Sequence, residues 1–528
     1  MKEVMTMVFT KTIDAYWRDL SFTADDLEFL YNFLLEKEEP LTDLDLAVAL
    51  ISERLRMQRM QAQEVTANQK QYFPKEHYEI NDHVFFPQEG GKVATVKNIR
   101  DGLSLTDTSF NVMEVEFSKN LTKEYVIDYE DHPLNILNAM TSENDEVEKS
   151  IVENYGAQIT KIINEAMDTN NEIVCIGGKS FPQALLVDIN TGYLNLAEAL
   201  LEMEEGGPLS TLDILKNLEF PFDDNSNLTE FSMNYALQED PRFDEVGPAG
   251  ETFWFLQSFE PDYVKSVPPY LKANLFEYEK KEITDELNIL QESIFDEWEF
   301  EDVSQDNPDE VTIHLIFPHW RAGTLPLSYR LRTFFPIAFE SENVLFTFVD
   351  ELTKEKFPGW VIFKPRYVFG LRAFYKKYNL IPGSIIRLKK SNIPGEIIIS
   401  LDSTRTTRDW LRTANVNTEG NLTFNMLKQV VPSEIDERMA IALPESLQEI
   451  EEYWGNPAKI KQNFEKFILS IMRELSKLNP QGHVHIAELY AAVNMGFRCP
   501  PGPIISALHS ATWATPLGNL YYRLETTN

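Results

Sequence analysis

The spacing of apolar residues along this chain changes period several times, and one layered core cannot satisfy both periods. Between Thr23 and Gln63 the apolar residues Leu27, Leu30, Phe33 and Leu34 recur at helical spacing. Pro40 interrupts them, and Thr42 or Asp43 is placed to cap a second helix carrying Leu46, Leu50 and Leu55. From Tyr72 to Asn135 the period falls to two. The segments Tyr78–Pro87, Gly90–Ile99, Phe110–Phe117 and Lys123–Ile127 read as short strands of β-branched and aromatic residues between Gly- or Asp-bearing turns. From Glu148 to Glu260 helical periodicity returns and ends in a hairpin, and beyond Val311 strands dominate again. With 528 residues, several domains of roughly 100–200 residues are expected rather than one.

Composition supports folded modules in a reducing setting. Hydrophobic residues make up 43% and aromatics 12% of the chain, enough for each module to bury a core. Cys175 and Cys499 are the only cysteines, too few for a disulfide framework or a thiolate zinc site. No run of about 18 uncharged apolar residues is present, and Met1–Asp19 lacks the apolar core of a signal peptide. A cytoplasmic location and no membrane partner are expected. The formal net charge of −36 would repel a polyanion unless positive charge were concentrated locally. It is: Lys354 to Arg412 holds thirteen Lys/Arg against Glu355, Glu396, Asp402 and Asp409, a local net of +9. Such a bipolar chain suggests a polyanion-facing module on an acidic body, or else an internal basic–acidic contact.

Three stretches resemble known families. The sequence YEINDHVFFPQEGGKVATVKNI, followed by FNVMEVEF, is similar to small Tudor/KOW-like barrels, above all the polymerase-interacting barrels of CarD-type regulators and transcription-repair coupling factors. That resemblance implies a protein partner, RNA polymerase, met through Phe85, Phe86, Pro87 and Lys92. The helices of GYLNLAEALLEMEEGGPLSTLDILKNLEFP, a third over Leu228–Gln238, and the close ALQEDPRFDEVGPAGETFWFL follow winged-helix order. They resemble the HARE-type winged helix found beside transcription machinery, including the delta subunit of bacterial RNA polymerase. The third helix carries no Arg or Lys to reach bases or phosphates and the wing offers Arg242 alone, so this module is expected to bind protein.

From Val311 to Leu401 the order of strands, a helix over Tyr367–Tyr378 and the segment Leu380-Ile-Pro-Gly383 resembles the DNA-binding pseudobarrel known in plants as the B-three domain. Leu325-Pro326, Asp350, Trp360 and Tyr367 occupy the family's positions, while Ser384 replaces its usual Asp. The resemblance implies double-stranded DNA as a partner. The candidate phosphate contacts are Arg321, Arg330, Arg332, Lys364, Arg366, Arg372, Lys376, Lys377, Arg387, Lys389 and Lys390. Arg405, Arg408 and Arg412 join them, on a helix whose spacing gives one guanidinium face beside Trp410.

The fold class expected is therefore α+β and multi-domain, with small antiparallel barrels and winged-helix (helix-turn-helix) modules. The boundaries are a helical unit at 1–68, a small barrel at 72–136, a winged-helix-like domain at 148–262, an acidic linker at 277–310, the basic pseudobarrel at 311–402 and a helical, winged-helix C-terminal domain at 403–528. No enzyme and no cofactor are expected. CIGGKS has Ile173 where a phosphate loop needs its first glycine. His483 and His485 have no third zinc ligand nearby. No Gly-x-Ser-x-Gly elbow occurs. The function expected is that of a DNA- and protein-binding factor associated with transcription or the nucleoid. The alternatives are a non-catalytic component of a DNA-processing or phage-defence system, or a scaffold that binds only protein.

Overall fold

The computed structural model describes residues 16–525 except 67–69, 87–91, 103–109, 119–120, 131–143, 168, 221–225, 249, 274–275, 279, 299–307, 339–340, 402–406, 432, 445–446 and 455–462. The chain divides into two compact units, Met1–Leu186 and Val187–Asn528. Among the described residues no helix is long and apolar enough to cross a membrane.

In the first unit the helices Ala24–Lys37, Asp43–Thr66 and Asn144–Met167 pack through Leu30, Leu34, Leu46, Leu50, Ile159 and Ile163. Thr23 caps the first helix with a reciprocal Asp26 contact, and Asp45 and Thr42 bond at the start of the second. Strand Leu41–Thr42 precedes the second helix and pairs with Lys179–Pro182, which pairs in turn with Ile173–Ile176. The five-stranded sheet Lys70–Gln71, His83–Phe86, Lys92–Asp101, Asn111–Ser118 and Leu121–Ile127 is inserted between the second and third helices. Its ends meet: Tyr129 N–H donates to Pro74 C=O at 2.9 Å. The helix Asn144–Met167 and the hairpin after it thus complete the N-terminal module. The sequence-based boundary had joined them to the module beyond Val187.

The second unit opens with helices Thr191–Met203, Thr211–Asn217 and Ser226–Gln238 and strands Leu209–Ser210, Phe243–Glu245 and Phe253–Leu256. Ser210 caps the second helix, accepting from Asp213 N–H at 3.1 Å. The chain ends on the same plan, with helices Phe464–Ser476, Ile486–Val493 and Pro501–Ser510 and strands His483–His485, Ala514–Gly518 and Tyr521–Leu524. In both, as in the first unit, the chain runs helix, strand, helix, helix, strand, strand, and the last strand lies in the middle of the sheet.

Between these lies a nearly closed, barrel-like sheet of seven strands: β1 (Glu310–His314), β2 (Thr324–Pro326), β3 (Asn343–Asp350), β4 (Lys356–Ile362), β5 (Tyr367–Phe369), β6 (Ile385–Lys390) and β7 (Glu396–Ser400), ordered β1-β6-β7-β3-β4-β5-β2. Only β3 and β7 pair in parallel. Strict alternation along β3 sends Val344, Phe346 and Phe348 into the core. The helix expected over Tyr367–Tyr378 is shorter, Arg372–Lys377, because Tyr367–Phe369 joins the sheet as β5. A ten-pair ribbon follows, β8 (Thr407–Val416) against β9 (Leu422–Val431).

Two further expectations are corrected. The stretch 277–310 is not merely a linker. It contains the helix Lys280–Ser293, whose Ile283, Leu287 and Leu290, with Ile294 just beyond, enter the core of the C-terminal module. Just past that helix, Asp296 and Glu297 are buried against Arg498 at 2.7 and 2.8 Å. Glu297 also meets His319 Nε2 at 3.1 Å, and Tyr490 donates to Asp296 at 2.6 Å. Burial would raise the Glu297 carboxyl, but the charges of Arg498 and His319 outweigh it and hold it well below the usual carboxylate range. Arg408 and Arg412 lie on strand β8 rather than on a helix.

Candidate nucleic-acid interface

The barrel's positive charge is much less available than its count suggests. Arg321 binds Glu451, Lys364 binds Glu342 at 2.6 Å, and Lys377 bridges Asp350 at 2.7 Å and Glu355 at 2.9 Å. Those two acids raise the Lys377 ammonium above its ordinary value, its bond to Asp350 foremost. Arg387 lies 3.8 Å from Glu310 and 3.7 Å from Glu434. Arg330 donates to the carbonyls of Gln291 and Ile294 and covers the Phe295 ring, and Arg366 donates to the carbonyl of Glu297. Arg332 lies over Tyr329 and Lys390 over Phe334. Arg412 is buried, 3.5 Å from Glu488 and bonded to the Glu437 carbonyl, and burial lowers its pKa. That makes it a structural cation rather than a phosphate contact. Arg405 lies outside the described residues.

Two of the remaining cations meet in one cleft. Helix Arg372–Lys377 presents Arg372 and Lys376 to solvent, and neither has a carboxylate partner among the described residues. Both line a cleft of about 500 Å³ with Trp320, Arg321 and Tyr375 on the barrel side and Leu411, Gln429 and Val430 of the ribbon opposite. The Trp320 indole is fixed by donating to the Leu380 carbonyl at 2.6 Å, and the Tyr375 hydroxyl by donating to the Thr324 carbonyl at 2.8 Å. Arg372 in turn donates to the Arg321 carbonyl at 3.3 Å, which holds the two guanidinium stems together. Arg408, exposed and without an acid partner among the described residues, is the cross-strand neighbour of Val430 at the lip of the cleft. Lys389 is also exposed and unpaired among the described residues, but it stands on β6 and does not line the cleft.

No protein-family model, curated protein or solved structure matches this chain.

The other expected sites divide. Phe86 is fully buried, stacked on Tyr72 at 5.0 Å and packed on Tyr125 at 4.5 Å, so it builds the five-stranded core and cannot meet a partner. Phe85 is half-buried, Lys92 is exposed, and Pro87 lies outside the described residues. Gly177 and Gly178, both at positive φ, make the turn of a hairpin in CIGGKS, not a phosphate cradle. His485 caps helix Ile486–Val493, accepting from Ala487 N–H at 3.1 Å, and burial and Arg438 push its pKa down to about 4. No group of three or more metal-capable side chains occurs among the described residues.

Neither third helix in the second unit offers a basic face. Ser226–Gln238 has none by sequence, and Arg242 of the adjacent hairpin is held by Glu198 at 2.5 Å and Asp240 at 2.6 Å. Pro501–Ser510 is covered by helix Lys280–Ser293, with Glu286 bound to His509 at 2.8 Å and to Tyr522 at 2.9 Å. The ribbon residues Trp410 and Lys428 were not singled out as a pair, since their apposition depends on the hairpin register.

Proposed function

We propose that this protein is a non-catalytic DNA- and protein-binding factor whose DNA contact is the cleft between the seven-stranded sheet and the ribbon. The observation that carries the reading is the segregation of its cations. Most basic side chains of the barrel are spent on internal acids or carbonyls, while Arg372 and Lys376 line one cleft with no carboxylate partner among the described residues, and Arg408 is the cross-strand neighbour of Val430 at its lip. Unneutralised guanidinium and ammonium groups suit backbone phosphates, which position a duplex without reading its sequence. The three helix–strand–helix–helix–strand–strand modules fit winged-helix folds. In the two beyond Val187 the lack of a free basic face favours protein partners over base readout. The sequence resemblance of residues 311–402 to the B-three pseudobarrel, and of 72–136 to CarD-type barrels, supports a place beside transcription machinery.

The test is salt-titrated binding of the full chain to a fluorescent duplex. The wild type is expected to lose affinity steeply with salt, and R372E/K376E to bind at least about tenfold more weakly with a salt slope shallower by roughly two. K149E/K161E, with the same charge change on helix Asn144–Met167, is expected to bind as wild type. No binding at low salt, or equal loss in both double variants, overturns the reading.

A further inference from the structure

Beside the cleft, the ribbon carries an aromatic side chain that its own fold does not use. Trp410 is 60% exposed, the most exposed of the tryptophans. Its indole N–H has no partner among the described residues. An indole left in water forgoes a large apolar burial. The register shows what surrounds it. Trp410 faces Lys428 directly, with Arg408 opposite Val430 two residues back and Arg412 opposite Met426 two residues on. Residues opposite one another or two apart along a strand share a face. One face of the ribbon therefore presents Arg408, Trp410, Lys428, Val430 and Met426, while Asp409 falls on the other. Of the ribbon residues that line the cleft, Leu411 and Gln429 lie with Asp409 on the opposite face, so the ring shares its face with Val430 at the lip and not with the rest of the cleft lining.

We propose that Trp410 is a stacking platform for an unpaired base, and that the interface prefers nucleic acid containing single-stranded nucleotides over intact duplex. The proposal rests on the DNA-binding reading and specifies its substrate. A flat, solvated ring beside two cations without acid partners among the described residues matches the two surfaces an unpaired nucleotide offers, a π-face and a phosphate. An intact duplex keeps its base faces inside the stack, so it engages the cations and leaves the ring idle. Arg408 and Lys428 then hold the phosphates that flank the stacked base.

The experiment compares three fluorescent DNAs of equal length on the full chain at one salt concentration: a perfect duplex, the same duplex with a five-nucleotide central bubble, and the single strand. The bubble is expected to bind about tenfold or more tighter than the duplex, a ratio of the size one stacked base confers. Trp410→Ala is expected to bring that ratio to about one, and Trp410→Phe to keep most of it. On this surface-exposed site neither substitution disturbs the core. A ratio of one in the wild type overturns this proposal and leaves duplex binding standing. A preference that survives Trp410→Ala overturns it as well. Failure of all three DNAs to bind at low salt overturns this proposal together with the DNA-binding reading.

Discussion

Arg498 offers the sharpest test of what holds the second unit together. Its guanidinium is wholly buried, and every direction around it is occupied: Asp296 at 2.7 Å, Glu297 at 2.8 Å, the Asn494 side chain at 3.1 Å and the Cys499 carbonyl at 2.9 Å. Arg498→Met keeps the volume and removes the charge. Asp296 and Glu297, at 1% and 3% exposure, are then left in the interior with the His319 imidazole as the one basic group bonded to either carboxylate among the described residues. Breaking a buried pair in this way costs about 3–5 kcal/mol, about 4–7 °C in the melting of this unit. The triple variant R498M/D296N/E297Q, which removes both buried carboxylates with the guanidinium, is expected to recover most of that loss. The pH dependence carries its own sign. Glu297 has a folded pKa below its unfolded value of about 4.3, so its contribution is complete above that value and fades as pH falls through the folded one. Urea titrations at pH 7 and pH 3.5 read this directly, and Glu297→Gln flattens the slope between them. A loss under about 1 kcal/mol for Arg498→Met, or no recovery in the triple variant, would refute the reasoning.

Three other outcomes are expected. Burial, then the neighbouring Asp244, raises the Glu260 carboxyl to about 8. Stability of the second unit should therefore fall as pH rises from the usual carboxylate range toward 8, and Glu260→Gln should abolish that fall in urea melts. Gly383 sits at φ +93° with its Cα against Ala440, where a Cβ would collide with backbone. Gly383→Ala should destabilise by about 1–3 kcal/mol in thermal melts, and an unchanged Tm would count against it. Phe86→Ala should cost the inserted sheet about 3–5 kcal/mol and Lys92→Ala within about 0.5 kcal/mol, as read by limited proteolysis.

Local periodicity made much of this fold legible. Val344, Phe346 and Phe348 alternate, Leu30 and Leu34 repeat by four, and Ser210 and Asp213 cap as their spacing says. What escaped was what locality hides. The first three-helix module is split by a whole sheet, so its third helix looks like the start of the next domain. Acidic residues masked helix Lys280–Ser293, although Ile283, Leu287 and Leu290 already carried its buried stripe. The Arg405, Arg408 and Arg412 spacing suggested a helix, but Arg408, Trp410 and Arg412 also alternate, and the threonines around them favour a strand. For the site, charge counting pointed to the seven-stranded module but could not foresee which cations Glu342, Glu355 and Glu451 would neutralise, because those partners are set by tertiary contact.

The hydrogen bond that joins the two ends of the inserted sheet has a consequence for how the chain comes off the ribosome. Leu41–Thr42 cannot find its partner until Ser180 has been made, several seconds or more later at about 5–20 residues per second. A structureless connection of that length would add its closure entropy to the pairing. The inserted strands from His83 onward pair with neighbours in sequence and can close as they emerge. Once Tyr129 reaches Pro74, the long excursion shrinks to a short tether. The waiting helices then face a nearby partner rather than a distant one, so order of synthesis and order of folding agree.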